Sequence, residues 1–225
     1  MLVQDRMTLN PVTVTPETSF VDAFKIIREK GVRHLPVVDK KGKLLGIVTQ
    51  KDLLHASPSS ATTLTVFEMN YLLVNLQIRE VMTTPAITVT EDTPIEEAAR
   101  TMVENDIGCL PVMRDGELVG LITETDIFKA FVEILGHGDA EWRITLQIAD
   151  VPGELARFSA VIASLGGNIC SSASFLGKDP SKVYFTIRLK GVHPDVLVPA
   201  LKAAGEEIVH VCSVARRNNS TQTIL

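Results

Sequence analysis

The sequence has few of the features that would tie a protein to a membrane, to export or to nucleic acid. No stretch approaches the roughly 20 apolar residues of a membrane-spanning helix, and residues 1–6 lack the apolar core of a signal peptide. The net charge of the 225 residues is −5, whereas a surface for the phosphate backbone would need a basic face. We therefore expect a cytoplasmic protein with neither a membrane nor a nucleic acid as its partner.

The sequence also lacks the common motifs of metal sites and catalytic sites. Its three cysteines, Cys109, Cys170 and Cys212, are far apart and form no C-x-x-C pair, which is typical of apolar buried thiols in a reducing compartment. The histidines show neither H-x-x-x-H nor H-E-x-x-H spacing, and no G-x-S-x-G or G-x-x-x-x-G-K-[ST] motif occurs. We therefore expect no metal and no enzymatic activity, although an active site assembled from distant residues stays an open alternative.

What the sequence does contain is the same unit twice. Residues 7–15, MTLNPVTVT, align with residues 82–90, MTTPAITVT, and residues 46–52, GIVTQKD, align with residues 120–126, GLITETD. Each copy predicts a short strand (12–14; 87–89), an amphipathic helix, a hairpin and a second helix that starts at Asp52 or Asp126. One copy has too small an apolar sheet face to be stable alone, so the two copies should pack on each other.

The repeated pattern resembles a known regulatory module. L-P-V-V-D followed by G-I-V-T-x-x-D is similar to the CBS domain, the cystathionine-β-synthase-type repeat, and two copies in tandem resemble a Bateman module. The resemblance covers residues 2–135 and implies an α/β fold, with one copy and a linker helix over 1–77 and the other copy over 78–136. The linker itself is a Ser/Pro loop leading into an apolar stretch.

A unit of a different kind follows over residues 142–216. Its strand and helix signals run in the order βαββαβ, which predicts a ferredoxin-like (α+β) fold. The D-V-P-G-E-L-A-R-F run and the later L-G-G-N-I resemble the ACT domain, a small regulatory module that often binds amino acids. The order CBS–CBS–ACT in turn resembles the bacterial acetoin-utilisation B protein family. Residues 217–225 are polar and predict a flexible tail.

A threonine and an aspartate recur where the last strand of each copy meets its helix: Thr49 with Asp52, and Thr123 with Asp126. An aspartate there can accept two hydrogen bonds from the vicinal diol of a ribose, and a hydroxyl beside a helix start suits a phosphate. Both pairs are equally compatible with simple helix N-caps. The CBS resemblance implies the first role, with the aspartate on the ribose and the threonine near phosphate.

The two copies differ just before the L-P pair, where one has Arg33 and His34 and the other has Gly108 and Cys109. In CBS families basic residues at this position often contact phosphates, and they tend to serve the pocket whose aspartate comes from the same copy. The alternative is an arginine and a histidine that are merely solvated.

The resemblance therefore implies two unequal pockets. We predict that the Asp52 pocket takes charged nucleotides and is completed by residues of the second copy, namely Pro85, Ile87 and Ile107. We predict that the Asp126 pocket prefers an uncharged adenosine-type ligand or stays empty, and that it is completed by Pro11, Val12 and Val32.

In the second domain, Asp150, Gly153, Asn168 and Ile169 match the positions that form the effector site in amino-acid-binding ACT domains. An asparagine side chain can pair with the amino or carboxylate group of an amino acid. The alternative is that D-V-P-G is only a turn and G-G-N only a helix stop, in a domain that serves to dimerise.

These observations predict a non-enzymatic regulatory sensor. It would bind AMP, ADP, ATP or S-adenosylmethionine between the CBS repeats, with an amino-acid effector at the ACT domain, and require no other cofactor. Allosteric regulation of a partner enzyme, a homodimer and a link to acetoin catabolism are implied by the families alone. The alternative is a ligand-free dimerisation scaffold that regulates a partner.

Overall fold

The chain folds into two compact units, Met1–Ala130 and Phe131–Leu225. The computed structural model describes residues 1–57, 73–136, 139–177, 179, 181–214 and 223–224. Most of the predicted linker over 57–73 and most of the predicted tail lie outside these ranges. No helix in the described part of the chain is long and apolar enough to cross a membrane.

The first unit contains the predicted pair of repeats. The elements of copy one are β1 (Thr8–Leu9), α1 (Phe20–Lys30), β2 (His34–Val38), β3 (Leu44–Thr49) and α2 (Gln50–Ala56). The elements of copy two are β4 (Val89–Thr90), α3 (Ile95–Asn105), β5 (Cys109–Arg114), β6 (Glu117–Thr123) and α4 (Glu124–Gly136). The hairpins β2–β3 and β5–β6 pair in the same register, with His34 opposite Thr49 and Cys109 opposite Thr123.

Several details of the repeats differ from the prediction. The strand predicted over 87–89 is Val89–Thr90, and α4 begins at Glu124, two residues before Asp126. The strand predicted over 12–14 is reduced to a single parallel bridge between Val14 and Val37. Helix α2 begins at Gln50, two residues before Asp52, because Thr49 occupies the N-cap and its hydroxyl accepts a hydrogen bond from the Asp52 N–H. Asp52 therefore lies inside the first turn of the helix.

Each repeat is completed by the segment that precedes the other repeat. Strand β1 pairs antiparallel with β6 of copy two, with Thr8 opposite Leu121. Reciprocally, Thr83 exchanges two backbone hydrogen bonds with Ile47 of β3, at 2.8 and 3.0 Å. Val3 is fully buried in the core of copy two, and Ile78 is fully buried in the core of copy one. The two copies therefore exchange core residues as well as strands.

A glycine marks each point of exchange. A methyl group on Gly46 would lie 2.5 Å from the backbone oxygen of Thr83. A methyl group on the equivalent Gly120 would lie 2.6 Å from Sδ of Met7. The nearest obstacle at Gly46 is backbone held in a strand pairing. At Gly120 the nearest obstacle is a flexible side chain, and the backbone oxygen of Thr8 lies farther away, at 3.2 Å.

The second unit has the predicted βαββαβ order, but a further short strand, Thr223–Ile224, forms within residues 217–225, which were predicted to be a flexible tail. It consists of β7 (Trp142–Ala149), α5 (Glu154–Ser164), β8 (Asn168–Leu176), β9 (Lys182–Lys190), α6 (Pro194–Ala203), β10 (Glu207–Ser213) and β11 (Thr223–Ile224). The antiparallel sheet has the order β11-β10-β7-β9-β8. Its core joins Ile144 and Leu189 of the sheet to Phe158 of α5 and Leu197 of α6.

Helix α4 is the element at which the chain passes from one unit to the other. Its last turn belongs to the second unit, where the Leu135 carbonyl accepts hydrogen bonds from Ser171 Oγ at 2.9 Å and from Arg188 Nη1 at 3.3 Å. A helix C-terminus leaves carbonyls without partners in the helix, and here two side chains of the sheet satisfy one of them.

The exchange predicts unequal responses to the same substitution at Gly46 and Gly120. We expect Gly46→Ala to lower the free energy of unfolding of the first unit by about 1–3 kcal/mol, because the β3 pairing with Thr83 must shift. Gly120→Ala should cost less, because the Met7 side chain can move away. Urea unfolding of both variants measures the difference, and an equal or larger loss in Gly120→Ala would contradict this account.

Candidate functional site

The Thr–Asp pairs form the same reciprocal helix-capping hydrogen bonds in both copies, and we call this arrangement the Thr–Asp lock. Thr49 donates to Asp52 Oδ2 from its backbone N–H at 2.8 Å and from its hydroxyl at 2.8 Å, and the Asp52 N–H donates back to Thr49 Oγ1 at 3.2 Å. Thr123 and Asp126 repeat the three bonds at 3.0, 2.7 and 3.4 Å. The structure thus confirms that both pairs are helix caps. The lock occupies Oδ2 alone, and no described residue donates a hydrogen bond to Oδ1.

Arg33 lies between the first turns of the two helices that carry these aspartates. Its backbone carbonyl accepts from the Gln50 N–H at 2.8 Å, at the start of α2. Its guanidinium donates from Nη2 to Thr125 Oγ1 at 3.1 Å, at the start of α4. Since Thr125 directly precedes Asp126, the one arginine touches the beginning of both Thr-x-x-Asp helices.

The equivalent place in copy two holds a carboxylate that sequence comparison missed. The Gly108 carbonyl accepts from the Glu124 N–H at 3.1 Å, which repeats the bond between Arg33 and Gln50. A methyl group on Gly108 would lie 3.3 Å from Glu124 Oε2, so the glutamate side chain rests against the glycine. The aligned copies differ at this position, T-Q-K-D against T-E-T-D, and this difference could have indicated the carboxylate.

Ionisable groups of both copies act on the same small region. Burial lowers the pKa of His34, and the Arg33 charge lowers it further, while Glu124 and Asp52 oppose this effect. Burial raises the pKa of Cys109 to about 12, and Asp52 and Glu124 add to the rise. His34 is therefore neutral at pH 7, Cys109 is a thiol, and carboxylates from both copies influence the two pKa values.

The cysteines agree in part with the expectation of buried thiols. Cys109 and Cys212 are buried, and Cys170 is half-buried. None forms a disulfide, and the described residues contain no group of three or more histidine, cysteine, aspartate or glutamate side chains that could hold a metal ion.

The apolar residues predicted to complete the two pockets differ in their burial. Val12 and Val32 pack against the core of copy one, and Ile107 packs against the core of copy two. Pro85 and Ile87 are exposed and follow the segment that pairs with β3. Their role in lining a ligand pocket stays a prediction.

An open depression on the first unit lies elsewhere. It is lined by Pro16, Glu17, Asp39, Lys40, Lys41 and Leu45, around the turn of the β2–β3 hairpin. His34 and Thr49 pair at the other end of that hairpin. The depression contains none of the residues predicted to bind a ligand.

The structure separates the four predicted effector residues of the second unit. Asp150 and Gly153 follow the end of β7, where Ala149 pairs with Lys182 at the start of β9. Asn168 and Ile169 begin β8, where Asn168 pairs with Lys190 at the end of β9.

Because β9 is nine residues long, the two pairs lie at opposite ends of the sheet. Gly153 is the N-cap of α5, and its φ of 97° lies in the left-handed region that favours glycine. One copy of the domain does not bring the four residues together.

Comparison with known proteins identifies the first unit. The model of the CBS domain family matches residues 3–59 and 78–133, which together make up more than half of the chain, and the chain belongs to this family. The match ends at residue 133, before β7, so it covers the predicted CBS pair and leaves the second unit unassigned.

Three other proteins are similar to part of this chain. L-aspartate semialdehyde sulfurtransferase of Methanocaldococcus jannaschii is 34% identical over 131 residues. The aligned region makes up 58% of this chain but 23% of that enzyme. The crystal structure of an acetoin utilization protein (AcuB) from Vibrio cholerae is 35% identical, with a TM-score of 0.50 and coverage of 60% of this chain and 93% of that one. The structure of CBSX2 in complex with AMP is 32% identical, with a TM-score of 0.49 and coverage of 59% and 97%.

The depressed pKa of His34 predicts acid sensitivity of the first unit. In the folded form the pKa of His34 lies below its ordinary value of 6.5. The unfolded chain therefore binds more protons than the folded chain as the pH falls through 6.5. The free energy of unfolding should therefore decrease between about pH 7.5 and about pH 5.5.

The variant His34→Asn should show a smaller decrease, measured by urea unfolding at both pH values. His55→Asn, at an exposed position of α2, serves as the matched control and should behave as the wild type. A decrease of the same size in His34→Asn and the wild type would contradict the assignment.

Proposed function

We propose that this protein is a non-enzymatic cytoplasmic sensor that binds an adenine nucleotide, or an S-adenosylmethionine-like relative, between its two CBS repeats. The observation that carries the proposal is the duplicated Thr–Asp lock with Arg33 between its two copies. A cap alone would explain one such pair. It does not explain why the Arg33 guanidinium of copy one contacts Thr125 at the start of the copy-two helix.

The lock presents an aspartate oxygen suited to a ribose. Asp52 Oδ2 is occupied by both donors of Thr49, so the carboxylate is held in one orientation. Oδ1 remains available to a ligand hydroxyl, and hydrogen bonds to an ionised acceptor are among the stronger ones in proteins. The same argument applies to Asp126 in copy two.

The basic groups support a phosphate on the Asp52 side. Arg33 and His34 adjoin Asp52 through β2 and the start of α2, and an arginine fork matches phosphate oxygens. We propose AMP, ADP or ATP for this pocket. For the Asp126 pocket we propose an uncharged adenosine-type ligand or no ligand, because copy two has Gly108 and Cys109 instead of the basic pair.

Ligand binding would act by selection among domain arrangements. A ligand shifts such an equilibrium only as far as its affinities for the two states differ. A pocket built from both repeats is suited to this, because closing on a ligand changes contacts of two elements at once.

Calorimetry with AMP tests the assignment of the Asp52 pocket. We expect Asp52→Ala to weaken AMP binding by about tenfold or more, since hydrogen bonds to charged groups contribute about 1.5–3 kcal/mol. Asp126→Ala should leave AMP affinity unaltered.

The first unit offers a control of the same local type. Ser19 and Asp22 form a cap at the start of α1, with Ser19 Oγ donating to Asp22 Oδ2 at 2.7 Å. Asp22→Ala therefore removes a similar cap away from the proposed pocket and should keep AMP binding. If Asp52→Ala left the AMP affinity unaltered, the assignment of AMP to the Asp52 pocket would be wrong.

A ligand-free interaction scaffold is the second candidate. The observation that favours it is a pair of exposed apolar side chains at equivalent helix positions, Leu54 of α2 and Phe128 of α4, which are 54% and 68% exposed. Such side chains support homodimerisation or contact with a partner enzyme. Thermal shift assays with AMP, ADP, ATP, NADH, S-adenosylmethionine and amino acids separate the two candidates, since a midpoint unmoved by all of them favours the scaffold.

We also propose that residues 142–216 form an ACT domain. The βαββαβ order and the turn at Gly153 support it. An amino-acid site that includes both Asp150 and Asn168 would require two copies of the domain, because one copy separates them. The similarity to the Vibrio cholerae acetoin utilization protein supports a link to acetoin catabolism.

Thermal shift with amino acids tests the effector proposal. Where an amino acid raises the midpoint of the wild type, Asn168→Ala should remove that shift and retain the shift produced by AMP. An amino-acid shift that persists in Asn168→Ala would place the effector elsewhere.

A further inference from the structure

We infer that Glu124 determines the ligand specificity of the Asp52 pocket, by selecting an adenine ligand with a single phosphate against those with two or three. This inference rests on the proposed function. It adds a residue of the second copy to a pocket otherwise defined by the ribose and phosphate groups of the first.

The first step is the position of the carboxylate. Glu124 opens α4, and its backbone N–H is held by the Gly108 carbonyl at 3.1 Å. Glu124 Oε2 lies 3.3 Å from the place a methyl group on Gly108 would take. A larger residue at position 108 would displace the carboxylate, so the glycine makes room for it.

The second step is the asymmetry between the copies. The equivalents of Glu124 and Gly108 in copy one are Gln50 and Arg33, joined by the same backbone bond at 2.8 Å. Glutamine and glutamate have similar helix propensities, and copy one forms the same backbone bond with Gln50. The fold therefore does not require the charge of Glu124, and the charge is present in one copy alone.

The third step is the balance of charge around the phosphate-binding pair. Arg33 supplies one positive charge, part of whose hydrogen-bonding capacity is already used by Thr125. His34 is neutral at pH 7, and Asp52 and Glu124 both act on it. Glu124 forms no ion pair with any residue in the described ranges, and the Arg33 guanidinium binds the adjacent Thr125.

One phosphate can be met by the Arg33 guanidinium. Each further phosphate adds negative charge to a region that already holds two carboxylates. Like charges brought together at a binding site are unfavourable and reject the wrong ligand. The pocket should therefore bind AMP more tightly than ATP.

Calorimetric titration of the full chain with AMP and with ATP tests this inference. Divalent cations are removed by a chelator, because a cation could bridge the carboxylate and the phosphates. We expect the wild type to prefer AMP, and Glu124→Gln to raise the affinity for ATP relative to AMP by about tenfold at low salt. The gain should shrink as the salt concentration rises.

The control is Glu117→Gln, the same change of charge at the other end of β6. Glu117 is exposed and pairs with Arg114 beside the hairpin turn, whereas Glu124 follows Thr123 at the far end of the strand. This variant should keep the wild-type preference. Equal thermal midpoints of the variants exclude a loss of folding.

The possible failures are distinguishable. An ATP-to-AMP ratio unchanged in Glu124→Gln, with AMP binding still weakened by Asp52→Ala, overturns the role of Glu124 alone. Absence of binding by either nucleotide to the wild type, or binding unaltered by Asp52→Ala, overturns the proposed function and this inference together.

Discussion

The first unit depends on the exchange of leading segments between its two repeats. Val3 precedes copy one and is buried in the core of copy two, while Ile78 precedes copy two and is buried in the core of copy one. Burying a large aliphatic side chain contributes about 1.5–3 kcal/mol. Neither repeat has its own full core, so the two must fold as one body, and the starts of α2 and α4 are brought together as a result.

On this shared frame the repeats agree in one respect and diverge in another. Both keep the Thr–Asp lock, whose six hydrogen bonds have nearly the same lengths in the two copies. They differ where the copies meet, with Arg33 and Gln50 in one and Gly108 and Glu124 in the other. The backbone bond that joins each pair is the same, so the divergence changes charge and leaves the local fold intact.

The sequence was sufficient for features that repeat or that are local. The aligned copies predicted the paired hairpins, and the strand and helix signals predicted the βαββαβ order of the second unit. The starts of α2 and α4 were each misjudged by two residues. Asp52 and Asp126 were taken as the first helical residues, although Thr49 and Thr123 cap the helices. Features that depend on long-range pairing could not be predicted: β1 finds its partner in β6, over a hundred residues away. Glu124 was missed because its importance depends on contact with Gly108, and the separation of Asp150 from Asn168 depends on the strand order.

Helix α4 has a practical consequence for dissecting the molecule. The residue before Asp126 is bound by Arg33, and ten residues further on the Leu135 carbonyl is held by Ser171 and Arg188. A fragment that ends at residue 130 stops in mid-helix, and one that ends at residue 136 keeps the helix but strips its last turn of the partners that satisfy it. Either cut changes the end of the helix that carries Asp126, so a measurement on an isolated repeat pair should be compared with the full chain before it is assigned to the intact molecule.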